Sequence, residues 1–304
     1  MKKKLTLTES ACKSVEEFST TFHLLKRHYE LLGKSQSTVN NYGRCLAHMA
    51  LHFNCCPTEL DSEQVLDYLH YCKSQEKTPS ASFFKHTIYG LRAVYRLKGL
   101  ETKRLRLPSL ERSKKLPVVL SQSEVKHLIN TPKLLKHRLL IGLLYDCGLR
   151  NFELRNLKLS DLDFDRKAVH IRQGKGRKDR YVPLGNLLIK GLQKYIAHEN
   201  PRCWLFNGNN RKGEPCQLSQ HGVYWVVSET RKKSGINKAI TAHTLRHSYA
   251  THLLEMGLDI VSLKEALGHS CIETTMVYLH ISQLGRQRTF SPLDRVYKYS
   301  NTTP

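Results

Sequence analysis

His243-Thr244-Leu245-Arg246-His247-Ser248-Tyr249-Ala250-Thr251-His252 is followed by Leu267-Gly268-His269-Ser270 and then by Thr274-Thr275-Met276-Val277-Tyr278. The three short runs bring a histidine–arginine pair, a turn histidine and a tyrosine together in sequence. His243 and Arg246 are three residues apart, which puts them on one face of a helix. Thr241 is a suitable N-cap, so both would lie in the first turns, where the helix end favours an anion. Leu245, Ala250, Leu253 and Leu254 make the rest of that helix apolar. A buried helix holding an arginine needs an anionic partner for it. Gly268 is placed to end the next helix, and Ser270-x-x-Glu273 reads as a capping box that starts another. His269 would then sit in a tight interhelical turn, with Tyr278 about two turns into the last helix. A solvent-facing turn histidine and a structural tyrosine, one of fourteen, are the plain alternatives.

Working outward, Gly148-Leu149-Arg150 stands at a predicted helix start, with Glu153 three residues on to pair with Arg150 or brace the local fold. Leu134 to Tyr145 is apolar enough for a buried helix, and Asn151 to Leu157 predicts a further one. Ala168–Ile171 and Tyr181–Leu184 read as the strands of a β-hairpin. Its basic tip, Gly174-Lys175-Gly176-x-Lys178-x-Arg180, suits a phosphate contact, and a lysine reaching a leaving oxygen would be a general acid. After Trp204-Leu205-Phe206 a loop is expected over Asn207 to Glu214, and helices return from Ser219. Ser121-x-x-Glu124 is a capping box at the head of this region.

The first third is helical by pattern. Val15 to Leu32 has helical spacing. Ser37-Thr38 can cap a helix through Tyr42, Leu46 and Met49, Asp61-x-x-Gln64 resembles a capping box, and Pro79-Ser80 opens a helix closed near Gly99. Lys103 to Leu116 breaks the periodicity with proline and like charge, reading as an extended linker, either solvated or laid along a phosphate backbone. The expected organisation is a helical domain over residues 1–102, a basic linker over 103–119 and a second, mainly helical domain over 120–304 with a small antiparallel sheet.

The chain has 304 residues, enough for two cores. Its net charge is +23, from 49 Lys+Arg against 26 Asp+Glu. Up to Val119 the excess is +9, which leaves +14 for the remainder, so both halves are basic. Such charge points to a polyanion, by default nucleic acid. A membrane is the weaker reading, since the sequence has no long apolar run or short polybasic cluster. The nine cysteines form no C-x-x-C pair, which argues against zinc, and their odd number without a signal peptide favours reduced thiols in the cytoplasm.

Taken in order, Gly148-Leu149-Arg150-x-x-Glu153-Leu154, Gly174-Lys175-Gly176-x-Lys178-x-Arg180, His243-x-Leu245-Arg246-His247-x-x-Ala250-Thr251-His252, Leu267-Gly268-His269-Ser270 and Thr274-Thr275-x-x-Tyr278 resemble the tyrosine site-specific recombinases of the phage integrase family. The Xer-like and transposon-integrase branch is the nearest in pattern. The resemblance implies an N-terminal SAM-like core-binding domain and a C-terminal catalytic domain of the DNA breaking-rejoining fold. It implies that Arg150 and Arg246 clamp the scissile phosphate, that His243 serves as proton acceptor and phosphate ligand, and that His269 donates to a non-bridging oxygen. Lys175 would protonate the leaving 5′-hydroxyl and Tyr278 would form a 3′-phosphotyrosyl link. Neither metal, ATP nor another cofactor is implied. The implied partners are a double-stranded DNA recombination site and further copies of the chain, as a tetramer on synapsed DNA.

Departures from the family pattern are small. Ala242 stands where proline commonly precedes the histidine, a change expected to loosen the helix start without removing chemistry, and Asn151 and Phe152 follow Arg150 where small or β-branched residues are frequent, with consequences expected for packing only. The chain begins almost at the core-binding region, so no arm-binding domain of the lambda type is expected. Arg286, Arg288, Arg295, Tyr297 and Lys298 form either a tail that docks on a neighbouring protomer or a frayed basic terminus. Two other functions fit the same residues: a non-catalytic DNA-binding accessory protein on this fold, and a site-independent relaxing topoisomerase. The direction of reaction and the target DNA sequence are not legible in the residues.

Overall fold

The computed structural model describes residues 5–76, 78–105, 107–108, 116–172, 179–209 and 213–282. The chain divides into two compact units, residues 1–113 and 114–304.

The first unit is helical: α1 (Leu7–Ser14), α2 (Phe18–Leu31), α3 (Gln36–Phe53), α4 (Ser62–Ser74), α5 (Ala81–Leu97) and α6 (Glu101–Leu105). Capping boxes at Thr6/Glu9 and Asp61/Gln64 start α1 and α4 by satisfying the first free N–H groups. The helix expected over Val15 to Leu32 begins later, because Glu17 takes a left-handed conformation (φ 57°) that separates α1 from α2. Ser35, two residues before the expected cap, is the N-cap of α3. The core holds Phe18, Leu25, Leu46, Met49, Tyr68, Ile88, Leu91 and Tyr95.

The head of the expected linker is not extended. Lys103 lies in α6, and its ammonium donates to the carbonyls of Thr58, Glu59 and Leu60 at 2.9, 3.1 and 2.9 Å. Arg92 donates to the carbonyls of Leu107 and Pro108, and Leu107 is buried in the first core. These cations are used to close loops, since a carbonyl cluster at a helix-to-loop transition needs donors. The remaining linker cations Arg106, Arg112, Lys114 and Lys115 fall outside the described residues.

The second unit contains α7 (Gln122–Asn130), α8 (Leu135–Asp146), α9 (Asn151–Asn156), a three-stranded antiparallel sheet, α10 (Asn186–Glu199), a two-stranded hairpin, α11 (Gln220–Ser234), α12 (Ala242–Glu255), α13 (Ile260–Leu267) and α14 (Glu273–Met276). The sheet runs β1 (Leu162–Asp163), β2 (Ala168–Ile171), β3 (Arg180–Pro183) in that order, with His170 opposite Tyr181 and Ile171 opposite Arg180. Residues 173–178 between β2 and β3, Lys175 among them, lie outside the described residues. Where a loop is expected over Asn207 to Glu214, β4 (Asn207–Asn209) forms at its start and pairs with β5 (Pro215–Gln217) just beyond its end. The capping box at Ser121/Glu124 forms as expected.

α8 is the floor of the second core: Leu139 to Leu144 are all buried. Truncating one of its leucines to alanine would cost about 2–5 kcal/mol. α12 crosses beside it, and Tyr145 of α8 shares a 2.8 Å hydrogen bond with Nδ1 of His252. Ser248 of α12 accepts from the Leu120 N–H at 2.9 Å, which anchors the incoming chain. The expected burial of α12 is reproduced, with Leu245, Arg246, Ser248 and Ala250 through His252 all enclosed.

Candidate active site

Arg150, His243, Arg246, His269 and Tyr278 line a single cavity of about 550 Å³ in the second unit, together with His247, Gly268, Thr274 and Pro117. Each arrives from a different local device. Gly148 has a positive φ of 55°, and an added Cβ would come 2.4 Å from the Tyr249 ring, so only glycine fits the turn that delivers Arg150. Arg150 then becomes the N-cap residue of α9, its backbone N–H held by the Glu153 carboxylate at 2.9 Å. Thr241 caps α12 and is reciprocated by Thr244, so Ala242 leaves the helix start intact. Phe152, expected to influence packing, is 59% exposed on α9.

Gly268 ends α13 in the left-handed conformation (φ 60°), and His269 follows in the turn, as the glycine signal predicted. The expected Ser270/Glu273 capping box does not form. Ile272 is the residue before α14, no side chain caps it, and the Glu273 carboxylate instead meets the Cys271 thiol. α14 is four residues long, so Tyr278 lies just past it rather than two turns into a helix. The turn that holds Tyr278 is closed by its own N–H to Thr275 at 3.0 Å and by Ile281 and Ser282 donating back to its carbonyl. The ring is 2% exposed and packs with Tyr249, Leu263 and Leu267.

Glu153 is the electrostatic centre. It is 3% exposed and accepts from Arg150 Nη1 at 2.7 Å and from Arg180 Nη1 and Nη2 at 3.0 and 2.8 Å. Arg246 Nη1 lies 3.9 Å away. Burial pushes its carboxyl up, but the hydrogen bonds and charge of Arg180, followed by those of Arg150, bring it down to about 2. Arg246 is 3% exposed and donates to the carbonyls of Gly148 at 2.6 Å and Leu267 at 2.5 Å. Burial and then the Arg150 charge lower its guanidinium to about 10, which leaves it cationic at neutral pH.

Arg246 Nη2 also meets His269 Nε2 at 3.1 Å, and His269 Nδ1 meets the buried Thr275 hydroxyl at 2.9 Å. A guanidinium has only donors, so Nε2 accepts and Nδ1–H donates to Thr275. Thr275 therefore sets the His269 tautomer. His243 stands exposed at the cavity rim, its basicity lowered by desolvation and by the charges of Arg246 and Arg150.

Two residues that sequence reasoning quoted without a specific role prove central. Arg180, grouped with the basic hairpin tip, is bound to Glu153 and to the Ala266 carbonyl at 2.9 Å. His247 bonds through Nδ1 to the Tyr278 hydroxyl at 2.9 Å, whereas His243 is one turn away with its ring 6.4 Å from that of His247. The i,i+4 spacing of His243 and His247 was the available signal for the second. Nothing in sequence distinguished Arg180 from the other hairpin cations. Lys175 lies outside the described residues.

Residues 118–284 match the model of the phage integrase family. The chain is 36% identical over 273 residues to tyrosine recombinase XerA of Pyrococcus furiosus, covering 88% of this chain and 89% of the relative. It is 34% identical over 291 residues to tyrosine recombinase XerD of Oceanobacillus iheyensis, covering 89% and 94%. In fold it is similar to XerH recombinase bound to palindromic difH substrate in a post-cleavage complex (TM-score 0.67, 20% identity, 95% of this chain and 94% of that one). A lambda integrase (75-356) dimer bound to a COC′ core site is similar to the same degree (TM-score 0.67, 21% identity, 88% and 97%). With the family model over more than half of the chain and relatives matched over nearly all of it, this chain belongs to the phage integrase family and is a tyrosine recombinase.

Proposed function

We propose that Tyr278 attacks a DNA phosphodiester held in this cavity, forming a 3′-phosphotyrosyl link and releasing a 5′-hydroxyl that later restores the strand. The observation that carries this reading is the convergence of two arginines, two histidines and the phenol on one cavity: Arg150, Arg246, His243, His269 and Tyr278. Arg150 and Arg246 supply fixed donors to the non-bridging oxygens, where charge accumulates as phosphorus becomes five-coordinate. Arg246 is already oriented by two backbone carbonyls, so little reorganisation accompanies binding. His269, which accepts from Arg246 and donates to Thr275, orients that guanidinium toward the phosphate, and the donor role the resemblance implies for it would require Nε2 to be released from Arg246 and protonated. His243 at the rim is a further phosphate ligand. Lys175, between β2 and β3 in sequence, is assigned protonation of the leaving 5′-oxygen. The link conserves the energy of the phosphodiester, so rejoining is attack by the 5′-hydroxyl on the same phosphorus.

The partner is duplex DNA, supported by the +23 charge and by the DNA complexes of the fold relatives. The first, helical unit is assigned the role of core-binding domain, and four protomers on two synapsed sites are proposed as the working assembly. Trapping on a nicked suicide duplex, its sequence selected from random DNA by the protein's own binding, tests the reading. Wild type should become covalently joined to DNA, and Tyr278→Phe should bind without joining. No adduct from wild type would remove the recombinase chemistry, and an adduct from Tyr278→Phe would remove the nucleophile assignment.

A further inference from the structure

We propose that His247 is the base that takes the phenolic proton of Tyr278 during strand cleavage and returns it during rejoining. The proposal rests on the reading of Tyr278 as nucleophile and adds a residue that touches the reacting oxygen. Nδ1 of His247 lies 2.9 Å from the Tyr278 hydroxyl, with the two rings 5.6 Å apart. The neighbouring groups cannot do the same. Arg246 and Arg150 present only donors. His269 is engaged by Arg246 and Thr275. His243 is a helical turn from His247, its ring centred 6.4 Å from that of His247, and among the described residues the hydrogen bond to the Tyr278 hydroxyl comes from His247.

Two features suit His247 to the task. It is half-buried against Tyr278 and lowered to about 4 by desolvation, then by His243 and Arg246, so it stands neutral and able to accept at neutral pH. It also lies on α12 between Arg246, which is aimed at the phosphate, and Ser248, which is locked to Leu120, so the ring is carried by a fixed backbone. The role requires the tautomer with the proton on Nε2, leaving Nδ1 open to the phenol.

The step balances. As Tyr278 Oη bonds to phosphorus, its proton passes to His247 Nδ1, and the phosphorus–O5′ bond breaks. The departing O5′ takes a proton from Lys175, giving a hydroxyl. In rejoining, O5′ returns its proton to Lys175, and the imidazolium of His247 reprotonates the Tyr278 oxygen as it leaves.

The test uses full-length protein on the same suicide duplex, with single-turnover cleavage as the readout and DNA binding and melting temperature as controls. His247→Gln keeps a polar group near the phenol but cannot take its proton, and cleavage should slow roughly 100-fold with binding unchanged. His247→Ala should slow similarly and be partly restored by added imidazole, since the truncation opens onto the cavity. Cleavage by His247→Gln at the wild-type rate overturns the proposal, as does a slow His247→Ala that imidazole leaves unrestored. If wild type itself forms no adduct, the reading of Tyr278 fails and the His247 role fails with it. An adduct from wild type with an unaffected His247→Gln rejects the His247 role alone.

Discussion

Arg180 and Glu153 face each other fork to fork, Nη1 to Oε1 at 3.0 Å and Nη2 to Oε2 at 2.8 Å, with the carboxylate sealed from solvent. The pair joins β3, where the lysine hairpin returns, to α9, where Arg150 begins. Arg180 Nε also holds the Ala266 carbonyl, and its guanidinium packs on Gly268 beside His269. One side chain thereby sets the mutual position of three pieces of the site.

Removing the charge of Glu153 should expose how much this centre contributes. Glu153→Gln leaves Arg180 and Arg150 without their carboxylate and Arg246 with a neighbour no longer anionic. Breaking a buried pair on one side costs about 3–5 kcal/mol. Urea denaturation should report a loss of that size, and a stability near wild type would show that the cluster is far more hydrated than its burial indicates.

Acid sensitivity should have two windows. Glu153 is held at about 2 against an ordinary 4.5, so its folded-state pKa is depressed. Its contribution is complete above about 4.5 and is lost as pH falls towards 2, to a total of about 3 kcal/mol. His247 is also depressed, to about 4 from 6.5. The unfolded chain takes up its proton first, so stability falls from about pH 6.5 down to 4. Unfolding free energies measured across this range should show a shallower lower window in Glu153→Gln and a shallower upper one in His247→Gln, the rest of the upper window belonging to His48, His137 and His243, which burial also depresses.

The two turn glycines should differ in cost. At both, the left-handed backbone penalises a side chain by about 1–3 kcal/mol. At Gly148 a Cβ would also meet the enclosed Tyr249 ring at 2.4 Å, while at Gly268 it would meet the end of Arg180 at 3.1 Å. Thermal melting should show Gly148→Ala to be the more destabilised. Equal losses would mean that Tyr249 can move aside.

Thr275→Val deletes the hydroxyl that receives His269 Nδ1–H while preserving shape. The lost bond costs about 1 kcal/mol of stability. Cleavage should fall much more than binding, because His269 loses the contact that fixes its tautomer. Thr275→Ser should restore the rate, and a wild-type rate in Thr275→Val would dismiss the tautomer argument.

Local signals were legible where a few neighbouring residues settle the outcome. The boxes at Asp61/Gln64 and Ser121/Glu124, the Thr241 cap and the Gly268 stop all formed, because each satisfies backbone groups within one turn. Ser270/Glu273 had the same spelling and failed. Glu273 turned to Cys271, and Tyr278 was held by packing and turn hydrogen bonds instead of a long helix.

From the residue order alone came the family, the division into a helical first part and a mainly helical second part with a small sheet, and the cast of candidate site residues. Short-range backbone chemistry and motif order carry that information. Only the tertiary structure decided the pairings: that Arg180 is spent on Glu153, that Thr275 orients His269, and that His247 rather than His243 meets the Tyr278 hydroxyl. Those contacts join elements far apart in sequence or select between two histidines on one helix face. They are settled by where burial leaves a charge or a hydroxyl in need of a partner, which no local spacing encodes.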